Sequence, residues 1–133
     1  MDVNQYIGMP FKDKGRTRKG ADCWGLVRIV YAIEYGIDLP SYNEDYPSST
    51  EAEEIGKLIN CEKGKWYEIP AGKEKAGDII IMRLSGHPTH VGVIAWPGYM
   101  LHTLKGVNTV LEHYTGILWR NRVVGIFRHE GLK

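Results

Sequence analysis

Two residue types in this chain can supply a nucleophile or a proton carrier near neutral pH, cysteine and histidine. There are two cysteines, Cys23 and Cys61, and five histidines, His87, His90, His102, His113 and His129. Cys23 follows Asp22 and opens the stretch "CWGLVRIVY". Asp22 is a good N-cap, and Leu26, Val27, Val30 and Ile33 recur at helical spacing. The sequence therefore predicts a helix from about Asp22 to Tyr35, stopped by Gly36 and by the Asp38–Pro40 stretch beyond it. Cys23 then occupies the first helical position. The unpaired backbone N–H groups and the macrodipole there draw a thiol toward thiolate. The Asp22 carboxylate opposes this, so a cationic partner such as histidine would help. Taken alone, a cysteine near a helix start is more often a small buried apolar residue.

His90 opens the strand-like run "HVGVIAW", and His102 lies in "YMLHTL", twelve residues on across a Pro-Gly turn. If the two rings share a face, His102 can fix the tautomer of His90, as the third member of a triad does. Register decides this. A two-residue turn at Pro97 and Gly98 pairs Trp96 with Tyr99, sets Val93 opposite His102 and turns His90 to the other face. A triad therefore predicts an odd-length loop or a bulge. A zinc site built from Cys23, His87, His90 and His102 is the alternative, but "HPTH" is not a standard ligand spacing, and no metal or other cofactor is expected. Cys61 has no comparable support and reads as structural. His87 and His113 read as surface residues.

The elements that must position these groups follow from the rest of the chain. Thr50 with Glu53 signals a second, short helix, and the stretch from Cys61 to Asp78 reads as irregular. From Asp78 onward "DIIIMRL", "HVGVIAW", "YMLHTL", "NTVLEHY" and "RVVGIFRH" read as about five strands without intervening helices. Helices first and an antiparallel sheet second make an α+β domain spanning residues 1–133. Lys plus Arg and Asp plus Glu nearly balance, for a formal net charge of +1, so no nucleic-acid partner is expected. The basic cluster from Lys12 to Gly20 reads as a solvated loop or as a rim for an anionic polymer. No apolar run approaches the ~18 residues of a membrane span, and no secretory signal is visible at "MDVNQYIGMPF".

"DCWGLVRIVY", "AGDIIIM" and "HVGVIAW…LH", in this order, resemble the NlpC-type cell-wall cysteine peptidases of the papain-like superfamily. "GIDLPSY" and the tail "ILWRNRVVGIFRH" resemble its phage-tail branch, which includes small tail-assembly proteins and gene-transfer-agent homologues. The resemblance implies a papain-like α+β fold, with the cysteine at a helix N-terminus packed on the sheet that carries the histidines. It implies Cys23 as nucleophile, His90 as general base and His102 as the orienting third residue. Asp22 and Trp24 fall where related chains read the substrate with Asp and Ser. The implied substrate is the peptidoglycan stem peptide, cut between D-γ-glutamyl and a diamino acid. Phage-tail proteins are the implied partners, with the virion tail, or the host cytoplasm before assembly, as the location and the cell envelope as the place of action. A tail protein with weak or no catalysis, and an acyl- or amidotransferase, are the other readings. The family often places a Pro-Tyr pair where "MPF" stands here, its hydroxyl serving the oxyanion hole. Phe11 has no hydroxyl, and Tyr6 is the replacement to consider.

Overall fold

Asp22 caps the predicted helix: its Oδ1 accepts the Gly25 N–H at 2.8 Å. Helix α1 then runs Cys23–Tyr35, and Gly36 ends it in the left-handed conformation (φ 65°) that glycine adopts without strain. The computed structural model describes residues 1–12, 15–39, 65–84, 87–104 and 106–132. The helix expected near Thr50, together with Cys61, lies outside the described residues. Before α1, two short strands, β1 (Arg16–Thr17) and β2 (Gly20–Ala21), form a small hairpin.

After α1 come β3 (Trp66–Ile69), β4 (Ile79–Leu84), β5 (His87–Trp96), β6 (Tyr99–Leu104), β7 (Val107–His113) and β8 (Val123–His129). They form one antiparallel sheet in the order β3-β8-β4-β5-β6-β7. The sheet has six strands rather than the expected five. The added strand, β3, is only four residues long and pairs with β8 far along the chain, so no local alternation announces it.

The sheet is covered on both faces, which is why β4 reads as an unbroken apolar run instead of an alternating one. On one face Ile79, Ile81, Val91, Val93 and Leu101 pack with Leu26, Val27, Val30 and Tyr31 of α1. On the other, Ile80, Met82, Ile94, Met100 and Ile126 pack with Tyr114 and Trp119. Ile33, expected in the helix core, is 44% exposed. Tyr31 takes the buried place instead, which rotates the stripe away from Ile33.

Candidate active site

Cys23 begins α1, which packs on β5 and β6, the two strands that carry His90 and His102. The thiol residue is buried in the core under the helix. Asp22 is fully buried as the cap, and Trp24, 2% exposed, lies against Trp66 with ring centroids 6.5 Å apart. Both residues expected at the substrate are thus enclosed by the protein in this structure. Phe11 runs beside Ala21 in a parallel bridge, just before the cysteine. The Tyr6 hydroxyl is not near the thiol. It donates to Glu34 Oε2 at 2.6 Å, and Glu34 lies in the last turn of α1, roughly 16 Å along the axis from Cys23. Tyr6 therefore does not replace the missing hydroxyl of the family's tyrosine.

The histidines meet because of a bulge. The turn is the two-residue Pro97–Gly98 form and pairs Trp96 with Tyr99, but the register then shifts, so that Ile94 faces Met100 and Val93 faces Leu101. Ala95 is the extra residue, and one extra residue flips the relative facing of everything beyond it. Continuing the register sets His102 opposite Gly92, with His90 two residues away on the same face. Gly92 suits this close approach: a Cβ on it would lie 3.0 Å from the Leu101 carbonyl oxygen and 3.3 Å from the His102 Cβ, tighter than ordinary contact. The result is a hydrogen bond of 2.8 Å between His90 Nε2 and His102 Nδ1.

Two further residues complete this cluster. His102 Nε2 lies 2.7 Å from Glu112 Oε1, on β7. Trp119, in the loop between β7 and β8, stacks on His90 at 5.9 Å and meets His102 edge-on at 5.2 Å. His90 and His102 are 2% and 1% exposed, so water is largely kept from the ring-to-ring bond. Burial lowers the pKa of His90 to about 3, and the neighbouring His102 adds to the effect. Burial also lowers that of His102, while the bond and charge of Glu112 pull it back up. Both rings are therefore neutral at pH 7. The metal-site alternative would require His102, whose two nitrogens are both in hydrogen bonds, to give one of them up; the His87 side chain is not among those described. His113 is exposed, as expected.

Neither Glu112 nor Trp119 follows from cysteine and histidine spacing. A second register shift, between His102 and Leu104, sets His102 against Val110, and so puts Glu112 on the same face, two residues from that partner. The available signal was a lone carboxylate inside the strand run "NTVLEH".

A thiol at a helix N-terminus and a paired-histidine hairpin are the groups that acyl transfer through sulfur uses. The NlpC/P60 family pattern matches residues 8–128, and the chain belongs to that family. It is 23% identical over 123 residues to the murein DD-endopeptidase MepS/murein LD-carboxypeptidase of Escherichia coli. That match takes in 90% of this chain and 57% of the relative, so the chain spans little more than half of its length. Among solved structures, an NLP/P60-family protein similar to lipoprotein, from Staphylococcus aureus, superposes with a TM-score of 0.67 at 21% identity, over 96% of this chain and 38% of that one. The NlpC/P60 domain of the peptidoglycan hydrolase SagA gives a TM-score of 0.63 at 20% identity, over 95% of this chain and 92% of that one.

Proposed function

We propose that this domain is a cysteine peptidase that cuts the stem peptide of peptidoglycan, with Cys23 as nucleophile, His90 as general base and His102 as the residue that orients it. The observation that carries the reading is the His90–His102 bond, which occupies Nε2 of His90 and leaves Nδ1 for the thiol proton. Support comes from the helix N-terminus at Cys23, from family membership, and from the wall-directed names of the relatives.

In this mechanism Cys23 gives its proton to His90 Nδ1, and the thiolate attacks the amide carbon. The tetrahedral oxyanion is held by the Cys23 backbone N–H and a second donor. Collapse breaks the C–N bond, and the imidazolium returns its proton to the leaving amine. Water then cleaves the thioester and releases the carboxylate and the thiol. The bond cut is the one between D-γ-glutamyl and the diamino acid. Trp24 beside the nucleophile and the closing "ILWRNRVVGIFRH" support a phage- or prophage-tail setting, with tail proteins as partners and the envelope as the place of action.

A structural tail protein with weak catalysis is the second reading. It is favoured by Phe11, and by the commitment of the Tyr6 hydroxyl to Glu34. Digestion of purified peptidoglycan by wild type and Cys23→Ala, with muropeptides identified by mass spectrometry, separates the two. Stem-peptide fragments from wild type alone are expected, and their masses name the bond. Absence of fragments, with Cys23 alkylation titrating at the unperturbed ~8.5, overturns the peptidase.

A further inference from the structure

Glu112 reaches the histidine pair from a third strand. Its direct cross-strand partner is Met100, yet its side chain turns diagonally to His102, whose own partner is Val110. The contact is 2.7 Å, with the histidine side chain 1% and the carboxylate 33% exposed. A side chain that could lie wholly in water has given up rotamer freedom to end on a buried ring.

The direction of every proton in the chain follows from this one contact. An ionised carboxylate can only accept, so His102 Nε2 must carry a hydrogen. A neutral imidazole has one hydrogen, so His102 Nδ1 is a lone pair. It faces His90 Nε2 at 2.8 Å, so that nitrogen must be the donor. His90, being neutral, then has its lone pair on Nδ1, the nitrogen left over. The opposite arrangement, with His102 donating from Nδ1 and His90 protonated on Nδ1, makes an equally good ring-to-ring bond. Nothing within the pair chooses between them.

We infer that Glu112 is a positioning residue that makes this choice, holding His90 through His102 in the one tautomer whose Nδ1 can accept a proton. The inference deepens the peptidase reading and, for its catalytic consequence, rests on it. Trp119 makes the choice binding, because it covers both rings and keeps water from serving as a substitute donor or acceptor. Glu112 has a second effect when His90 becomes an imidazolium. The new charge is hydrogen-bonded to His102, which in turn donates to a carboxylate, so the cation forms facing a fixed dipole and an anion. Exchange of the acid for an isosteric amide in a serine triad, which locks the wrong tautomer, lowers kcat about 10⁴-fold. Here the acid acts through an additional ring, and the expected loss is smaller, about 10- to 100-fold.

The test is Glu112→Gln, which keeps the shape but offers His102 an N–H. Ring nitrogen chemical shifts in ¹⁵N-histidine-labelled protein report which nitrogen is protonated, whether or not the protein has activity. Wild type is expected to carry its protons on Nε2 of both His90 and His102, and Glu112→Gln to shift population toward Nδ1 on both. On peptidoglycan, the variant should lose kcat by 10- to 100-fold with KM held. Glu112→Asp, which restores a carboxylate one methylene shorter, should recover part of both signals. Unchanged tautomers in Glu112→Gln, or Nδ1 protonation in wild type, overturn the inference. A tautomer shift in a protein whose wild type releases no stem peptides supports the role of Glu112 and overturns the peptidase reading instead.

Discussion

Asp78 and Glu112 are both carboxylates that hold a nitrogen base from a neighbouring strand, but their surroundings differ. Asp78 is fully buried, with Oδ1 accepting Arg128 Nε at 2.7 Å and Oδ2 accepting Arg128 Nη2 at 2.9 Å and the Lys75 N–H at 2.9 Å. Arg128 Nη2 also donates to the Lys73 carbonyl at 3.1 Å. This cluster closes on itself. Glu112 instead begins a chain that passes through His102 to Nε2 of His90. A closed cluster of this kind ties β8 to the start of β4. The other runs from a half-exposed carboxylate to a buried ring pair. The same chemistry serves a fixed corner in one place and, in the proposed function, a site in the other.

The largest effect should come from breaking the closed cluster. Arg128→Met leaves the Asp78 carboxylate buried without its counter-ion, which costs about 3–5 kcal/mol. Urea unfolding measures it, and activity per folded molecule should be unaffected because no catalytic group is touched. A loss below about 1 kcal/mol would mean that solvent reaches Asp78 once the guanidinium is gone.

How far each region could be read in advance follows the same division. The helix, its cap and its glycine stop were legible because N-caps, apolar spacing and left-handed C-caps are local signals, and they recur here at Asp22, Val27, Val30 and Gly36. The α+β order was legible from the run of strands. The edge strand β3 was not, since its pairing depends on residues near the other end of the chain. Whether His90 and His102 share a face depended on one bulged residue, and a sequence shows the loop but not the bulge. The condition for a triad could be stated as a parity rule, and Ala95 satisfies it with the tight turn kept. Glu112 lay one hairpin further on, beyond a second register shift, so two uncertain registers had to be right at once. The Asp78–Arg128 pair spans fifty residues and had no signal beyond the two charges.

A pH titration of stability sharpens the contrast. His90 is held neutral by burial, with a folded pKa of about 3 against 6.5 for the exposed side chain. The unfolded chain therefore binds more protons between these values, and stability falls as pH drops. The contribution is intact above pH 6.5 and is lost progressively toward about 3, at roughly 1 kcal/mol per pH unit for the group. His90 is bonded to His102 on β6, with Glu112 behind it, and is stacked on Trp119, whose ring also has the Arg122 guanidinium over it at 5.5 Å. Unfolding free energies from pH 7 to 4 should fall less steeply in His90→Gln than in wild type. Equal slopes would show that the ring is hydrated in the folded state.

The smallest effect tests whether the closed corner is one unit. The Tyr31 hydroxyl, from α1, donates to the carbonyl of Gly77, the residue before Asp78. Gly77 itself sits at a φ of 95°, a conformation that suits glycine, and its N–H bonds the Ile94 carbonyl at 2.8 Å. Tyr31→Phe keeps the ring in its edge contacts with Tyr35 and His129 and removes one donor from a buried carbonyl, for a loss of about 1 kcal/mol. Combined with Arg128→Met, the two losses should sum to more than the double variant shows, because each alone loosens the same Gly77–Asp78 turn. Strict additivity would instead mean that helix and strand grip that turn independently, with the ion pair holding only β8.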